Sequence, residues 1–116
     1  MSDKSTTLGT LREELHQFVD ERDWHQFHSP KNLTMAMSIE VAELMEHFQW
    51  LSIDDSRAVK SDADKLAEVG EEMADVLSYL LALANSLDID LTTTLRSKMV
   101  KNRLKYPVDE FRGRAN

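Results

Sequence analysis

Two segments of the sequence repeat one pattern, in which an apolar stripe at helical spacing carries a pair of acidic residues on its edge. The first stripe consists of Leu33, Met37, Val41, Leu44 and Phe48, and the second of Val69, Met73, Val76, Leu80, Leu83 and Leu87. The acidic pairs are Glu40 with Glu43, and Glu72 with Asp75. Residues three apart in a helix project from one narrow strip, and both pairs are displaced from their stripe in the same rotational sense. Two helices packed through these stripes would therefore bring four carboxylates into one cleft.

Carboxylates that approach one another in a partly buried place repel, and they resist ionisation unless a cation compensates them. Ligand sets made only of oxygen favour a hard ion, of which Mg²⁺ is the default. The pattern thus predicts a Mg²⁺ site formed by Glu40, Glu43, Glu72 and Asp75. The alternative is that these are ordinary exposed acids on amphipathic helices.

The composition favours a single all-α domain over residues 1–116. With 3 Gly and 2 Pro in 116 residues, little room is left for the turns of an all-β fold. Helical periodicity predicts four long helices, over residues 7–22, 32–51, 62–87 and 93–105, with Thr92 as the cap of the fourth. This arrangement resembles a four-helix bundle. Residues 1–6 and 108–116 are expected to be flexible.

Several further features predict where the chain is located and how it assembles. The absence of Cys excludes disulfides and thiolate metal sites and suits a reducing compartment. No apolar run is long enough to span a bilayer, and the N-terminus lacks the apolar core of a signal peptide, so we expect a cytoplasmic protein without a membrane partner. The segment Leu77 to Leu87 is apolar around most of its circumference, which predicts a subunit interface and a stable oligomer.

The distribution of charge and aromatic rings favours a small phosphorylated ligand. The net charge of −7 argues against broad nucleic-acid binding. Five cations nevertheless gather late in the chain, at Arg96, Lys98, Lys101, Arg103 and Lys105. The aromatic and imidazole rings of residues 23–30 lead directly into the first acidic helix, and Trp50 falls near its acidic edge. Such rings would suit the flat face of a nucleobase.

An ordered set of motifs over nearly the whole chain resembles the MazG-like all-α nucleotide pyrophosphohydrolases, especially the branch that hydrolyses deoxycytidine triphosphate (dCTP). The motifs are Arg22-Asp23-Trp24, Pro30-Lys31-Asn32-Leu33, Glu40-Val41-Ala42-Glu43-Leu44, Phe48-Gln49-Trp50, Glu71-Glu72-Met73-Ala74-Asp75-Val76-Leu77, Ser97-Lys98-Met99, Asn102-Arg103 and Tyr106-Pro107. The resemblance implies Mg²⁺-dependent conversion of a nucleoside triphosphate, either dCTP or a modified deoxynucleotide, to the monophosphate and pyrophosphate. This reaction would serve housecleaning of the nucleotide pool, in a homodimer or homotetramer.

The resemblance also implies a role for individual residues. Glu40, Glu43, Glu72 and Asp75 would hold Mg²⁺, and either Glu40 or Glu43 would orient or deprotonate the attacking water. The implied substrate-binding residues are Trp24, Phe27, His28, Trp50, Tyr79, Lys98, Asn102 and Arg103. Among these, Lys98 and Asn102 would bind the phosphates, the two tryptophans would border the base, and Tyr79 would pack on the sugar or base. His16 is left out, because its spacing from Arg22-Asp23-Trp24 does not match.

Two other readings of the sequence remain open. A di-iron carboxylate bundle also places acids inside four helices, but it needs two Glu-x-x-His steps, and Glu13 with His16 forms the only one here. A non-enzymatic helical adaptor would use the acids for solubility and the apolar helix for assembly. The adaptor predicts no metal-dependent release of pyrophosphate from any nucleotide.

Overall fold

The structure, a computed structural model, describes residues 1–114, and within them every regular element is helical. The elements are α1 (Leu8–Glu21), a 3₁₀ turn (His25–Phe27), α2 (Pro30–Glu46), α3 (Ile53–Ala58), a second 3₁₀ turn (Val59–Ser61), α4 (Ala63–Leu87), α5 (Leu91–Lys105) and α6 (Val108–Phe111). The prediction of an all-α fold is confirmed. None of the helices described is long and apolar enough to cross a membrane.

Side-chain caps explain where the helices begin. Thr7, Ser29, Ser52 and Asp62 each accept a hydrogen bond from a backbone N–H in the first turn of the helix that follows. The predicted cap of the last long helix at Thr92 is wrong. Asp90 caps α5 instead, because its carboxylate accepts from the backbone N–H of Thr93 at 2.9 Å. That hydrogen bond is also the main reason why the pKa of Asp90 is lowered.

Two other predicted boundaries were wrong. The second long helix ends at Glu46 rather than at residue 51, and residues 47–50 continue as turns. Residues 52–60, predicted to be a loop with one short turn, contain α3 and the start of the second 3₁₀ turn. The cap at Ser52 and the acids Asp54 and Asp55 in the first turn favour this short helix.

The segment after Pro107 also contains structure that periodicity did not reveal. It forms α6, and Phe111 packs edge-on against Tyr106 with ring centroids 5.2 Å apart. Because four residues are too short to show helical periodicity, this turn could not be predicted from the pattern of apolar residues. Residues 115 and 116 lie outside the described part of the chain, and the flexibility expected of both termini stays a prediction.

The body of the protein is formed by α1 and α2 packed on α4. The most buried apolar residues of these helices are Val19 on α1, Leu33 on α2, and Val69, Leu81 and Ala84 on α4. A polar contact fixes α1 to the end of α4: Arg12 donates from Nε to Asn85 Oδ1 at 2.8 Å and from Nη1 to the Ile89 carbonyl at 2.7 Å. The packing of α2 on α4 holds the helices that carry the two acidic pairs side by side.

In contrast, α5 has no extensive packing contact with α1, α2 or α4. No residue of α5 is buried, and its apolar residues Leu95 and Leu104 are exposed. The Cα radius of gyration is 17.3 Å, whereas a compact domain of this length has about 13 Å. Val41 and Met73, which belong to the two apolar stripes, are also exposed. The single chain thus leaves a large apolar surface uncovered.

Candidate active site

The packing of α2 on α4 brings three acidic side chains together. Glu40, Glu43 and Glu72 each contribute a carboxylate oxygen, and these three atoms all lie within 4.8 Å of one another. Oε2 of Glu40 and Oε2 of Glu72 are buried and have no hydrogen-bond partner in the described chain. A buried carboxylate oxygen without a donor raises the free energy of the folded state, so a proton or a cation bound there would stabilise the cluster.

The electrostatics of this acidic cluster agree with its geometry. Burial, followed by the neighbouring Glu43 and the charges of Asp75 and Glu72, raises the pKa of Glu40 from 4.5 to about 7. The pKa of Glu72 is raised for the same reasons, burial first and Glu43 next, while His47 opposes the shift. A divalent cation would compensate these charges, and an oxygen-only set fits a hard ion such as Mg²⁺.

Asp75 lies beside the acidic cluster and not within the close group of three. It is exposed, although its charge contributes to the raised pKa values of Glu40 and Glu72. Asp75 also lines a neighbouring cavity of about 240 Å³. It therefore connects the acidic cluster with this cavity.

The cavity is lined by aromatic and imidazole rings that the sequence analysis assigned to substrate binding. Trp24, His28 and Tyr79 border it, together with Asp75. Phe18 supports the indole of Trp24 edge-on, with ring centroids 5.7 Å apart. Burial, and secondarily the charge of His25, lowers the pKa of His28, which favours its neutral ring. A flat apolar ring would fit between these side chains, with its polar edge near Asp75.

Comparisons with known proteins identify the family of the chain. The model of the MazG-like family matches residues 35–116. The chain belongs to the MazG-like family. The family resemblance predicted from the sequence is thus confirmed.

Named relatives of this MazG-like chain include dCTP pyrophosphatase 1 from Rattus norvegicus, which is 44% identical over 109 residues, covering 94% of the chain and 64% of the relative. The protein of the same name from Homo sapiens is 43% identical over 101 residues, covering 87% of the chain and 59% of the relative. The chain therefore spans less than two thirds of these relatives. A crystal structure of a pyrophosphatase from Archaeoglobus fulgidus is similar with a TM-score of 0.79 and 39% identity, covering 92% of this chain and 98% of that one.

Two of the predicted aromatic contacts do not line the cavity of this MazG-like chain. Trp50 lies in the turns after α2 and its side chain is 88% exposed. Phe27 lies in the first 3₁₀ turn and is also exposed. Their predicted roles in substrate binding would require movement or a covering surface.

The predicted phosphate-binding residues lie on α5. Lys98 and Arg103 are exposed and Asn102 is half-buried. Because α5 is not packed extensively against α2 or α4, the described chain does not bring these three residues together with the acidic cluster. Lys98 and Arg103 form no ion pair within residues 1–114.

His47 is a member of the site environment that the sequence analysis did not assign to the site. Its half-buried ring lies with Nδ1 4.0 Å from Glu68 Oε2 and Nε2 4.0 Å from Glu72 Oε1. It follows Glu43 by one helical turn, and this i, i+4 spacing is the signal that could have identified it. His47 is therefore placed to modulate the charge of Glu72.

Proposed function

We propose that this chain is a metal-dependent nucleoside triphosphate pyrophosphohydrolase, which splits the bond between the α and β phosphates and releases a nucleoside monophosphate and pyrophosphate. The observation that carries this proposal is the acidic cluster with its two buried carboxylate oxygens without partners, beside a cavity lined by rings. The names of the relatives support it and favour dCTP as substrate. A modified deoxynucleotide, a housecleaning role and a cytoplasmic location stay predictions.

Glu40, Glu43 and Glu72 would hold Mg²⁺, with Asp75 joining them by a small movement of its exposed side chain. When bound, Mg²⁺ supplies positive charge that offsets the charge of the triphosphate and of the leaving pyrophosphate. The carboxylates would themselves hold the ion at the edge of the ring-lined cavity. This arrangement would place the reacting phosphates next to the base.

Glu40 is the best candidate for orienting the attacking water. Its Oε2 has no protein donor, so it could accept a hydrogen bond from a water that enters the cluster with the ion. The raised pKa of about 7 belongs to the metal-free cluster, and a bound cation would lower it, so the Glu40 carboxylate would be ionised near neutral pH and able to accept a proton from the water. Glu43, the other residue proposed from the sequence, would then serve mainly in holding the ion.

The base would lie in the cavity between Trp24, His28 and Tyr79. Stacking on Trp24 and Tyr79 would hold any flat base, and the neutral His28 ring can offer one donor or one acceptor to its polar edge. Phe27 and Trp50 would close over the base from the exposed side. This cavity would therefore determine the choice of base.

The uncovered apolar surface supports a homodimer or homotetramer. Leu77, Leu80 and Leu87 of α4 are exposed in the single chain, as are Leu95 and Met99 of α5. A second copy would bury these side chains, at about 25 cal/mol per Å² of apolar surface. In such an assembly Lys98, Asn102 and Arg103 would reach the phosphates of a nucleotide, which α5 does not do in the described chain.

The test is pyrophosphate release from a panel of common and modified nucleoside triphosphates, with Mg²⁺ and with a chelator. We expect release that requires Mg²⁺ and is fastest with dCTP or a related deoxynucleotide. Glu43→Gln should abolish it, whereas the matched change Glu46→Gln on the same helix should not. Absence of release from every nucleotide tested would favour the helical adaptor.

A further inference from the structure

Outside the acidic cluster, α1 and the first 3₁₀ turn bring a second group of possible metal ligands together. His16 and Asp20 are four residues apart on α1, and His25 is the first residue of the 3₁₀ turn. One ligand atom from each side chain lies within 4.8 Å of the other two. The imidazole rings of His16 and His25 are 4.9 Å apart between centroids and tilted by 42°.

We propose that His16, Asp20 and His25 bind a divalent transition-metal ion such as Zn²⁺, at a site distinct from the acidic cluster. The donor set consists of two imidazole nitrogens and one carboxylate oxygen. This combination favours Zn²⁺ and related ions, whereas the oxygen-only acidic cluster favours Mg²⁺. The proposal rests on these three residues and does not depend on the function proposed above.

The distances suit such an ion. Zn²⁺ bound tetrahedrally at 2.0 to 2.1 Å has ligand atoms about 3.3 Å apart. Nε2 of His25 is 3.4 Å from Oδ1 of Asp20, which is close to this separation. All three side chains are exposed, so His16 can complete the group by rotating without disturbing the core. The polar contact of the His25 ring is with Asp20, which is itself one of the three proposed ligands.

The proposed metal site lies next to the ring-lined cavity. Trp24 and His28 flank the 3₁₀ turn that begins with His25, and both line that cavity. A second cavity, of about 280 Å³, is lined by His16, His25 and His28, so His28 borders both. An ion shared by His16, Asp20 and His25 would fasten the turn to α1. It would thereby fix the rings of Trp24 and His28 at the wall of that cavity.

The sequence contains only part of this signal. His16 and Asp20 have the i, i+4 spacing that places two ligands on one face of a helix. The third ligand follows after α1 has ended. The chain reverses there through Asp23, whose φ of +53° lies in the left-handed region. Periodicity says nothing about such a turn, so the ligand group appears only in the structure.

The test is calorimetric titration of the whole chain with Zn²⁺, without nucleotide. We expect one ion per chain at this site. His16→Gln, Asp20→Asn and His25→Gln should each weaken it by at least about tenfold, because even loss of an outer-shell partner costs a metal site 10- to 100-fold. Glu21→Gln, which neutralises the next acid on the same helix, is the matched control and should bind as the parent does. Equal affinity in the parent and all three ligand variants would overturn the proposal.

Zn²⁺ bound to the acidic cluster must be distinguished from Zn²⁺ bound here. The double change Glu40→Gln with Glu72→Gln should retain the tight Zn²⁺ site, and loss of that site would overturn the proposal. A measurement on the parent needs no variant: substoichiometric Zn²⁺ should shift the imidazole ¹H–¹³C resonances of His16 and His25 but not that of His47. A shift of His47 alone would place the ion in the acidic cluster. Both readouts are independent of pyrophosphate release.

Discussion

The helix pair α2–α4 and the helix α5 carry the two halves of the predicted active site, yet the single chain organises them differently. The acids on α2 and α4 converge because these helices pack along each other. The cations on α5 have no comparable support, because α5 has no extensive packing contact with the body. The predicted metal-binding half is thus brought together by contacts within one chain. The predicted phosphate-binding half would need either a movement of α5 or a second copy to reach it.

The largest loss of activity is expected from changes in the acidic cluster on α2 and α4. Glu72→Gln replaces a proposed metal ligand with a neutral side chain of nearly the same volume. It should lower kcat by about 10²-fold or more, since loss of one preorganised charge-stabilising contact costs about that much. Asp75→Asn should cost less, because Asp75 lies outside the close group of three carboxylates. The measurement is Mg²⁺-dependent pyrophosphate release, with Glu71→Gln as the matched control. An Asp75→Asn defect as large as that of Glu72→Gln would show that Asp75 is a full ligand.

The next prediction tests whether Lys98 on α5 contributes to phosphate binding. Lys98→Ala should lower kcat/KM by roughly 10- to 100-fold, because charge-assisted hydrogen bonds to phosphate contribute about 1.5 to 3 kcal/mol. Lys101→Ala, on the same helix, is the control and should have a smaller effect. Rate measurements at several dCTP concentrations give kcat and KM for each variant.

Mixing two impaired variants tests whether α5 serves the site of a partner. Suppose that Lys98 of one chain binds the nucleotide held at the acidic cluster of the other chain. A mixed dimer of Glu72→Gln and Lys98→Ala chains then has one intact site, which combines Glu72 of the second variant with Lys98 of the first. With random assortment of a symmetric dimer, about a quarter of the parent activity should return. If Lys98 acts on the acids of its own chain, no activity returns on mixing. Sedimentation of the mixture must show that the chains have exchanged.

The same contrast explains what the sequence could predict. Glu40, Glu43 and Glu72 were predictable because helical periodicity places them on matching edges of two stripes, and the part of the stripes that is buried is enough to pack α2 on α4 and bring them together. The predicted roles of Lys98, Asn102 and Arg103 come from the family resemblance, since periodicity does not tell what α5 packs against. Residues that depend on a turn were missed for a similar reason. His25 reaches His16 and Asp20 only through the backbone reversal at Asp23.

A smaller effect is expected at the ring-lined cavity. Trp24→Ala should raise KM with little change in kcat, since loss of one stacking contact costs about 1 to 3 kcal/mol. Trp50→Ala should have a weaker effect if its side chain stays 88% exposed in the assembled protein. Steady-state kinetics with dCTP would decide this. Equal defects in both variants would show that an assembly or a movement brings Trp50 onto the base.

The smallest effect concerns the stability of the metal-free protein. The folded-state pKa of Glu40 is about 7, above the ordinary value of 4.5. Between these two values the folded state retains a proton that the unfolded state has released. The stability that this proton contributes is therefore fully present below pH 4.5 and is lost as the pH rises through 7. The loss should be on the order of 1 to 3 kcal/mol, because water reaches part of the side chain.

Glu40→Gln, which is neutral at every pH, should remove most of this slope and be more stable than the parent at pH 8. Some slope should remain, because the pKa of Glu72 is raised in the same direction. The measurement is denaturant unfolding in the presence of a chelator from pH 4.5 to 8, with Glu46→Gln as the control that keeps the parent slope. Saturating Mg²⁺ should reverse the order at pH 8, because only the parent retains all the carboxylates of the cluster. If the stability of the metal-free parent instead rises over this pH range, Glu40 is ionised without a cation. The cluster on α2 and α4 would then be less buried than its unpartnered oxygens indicate.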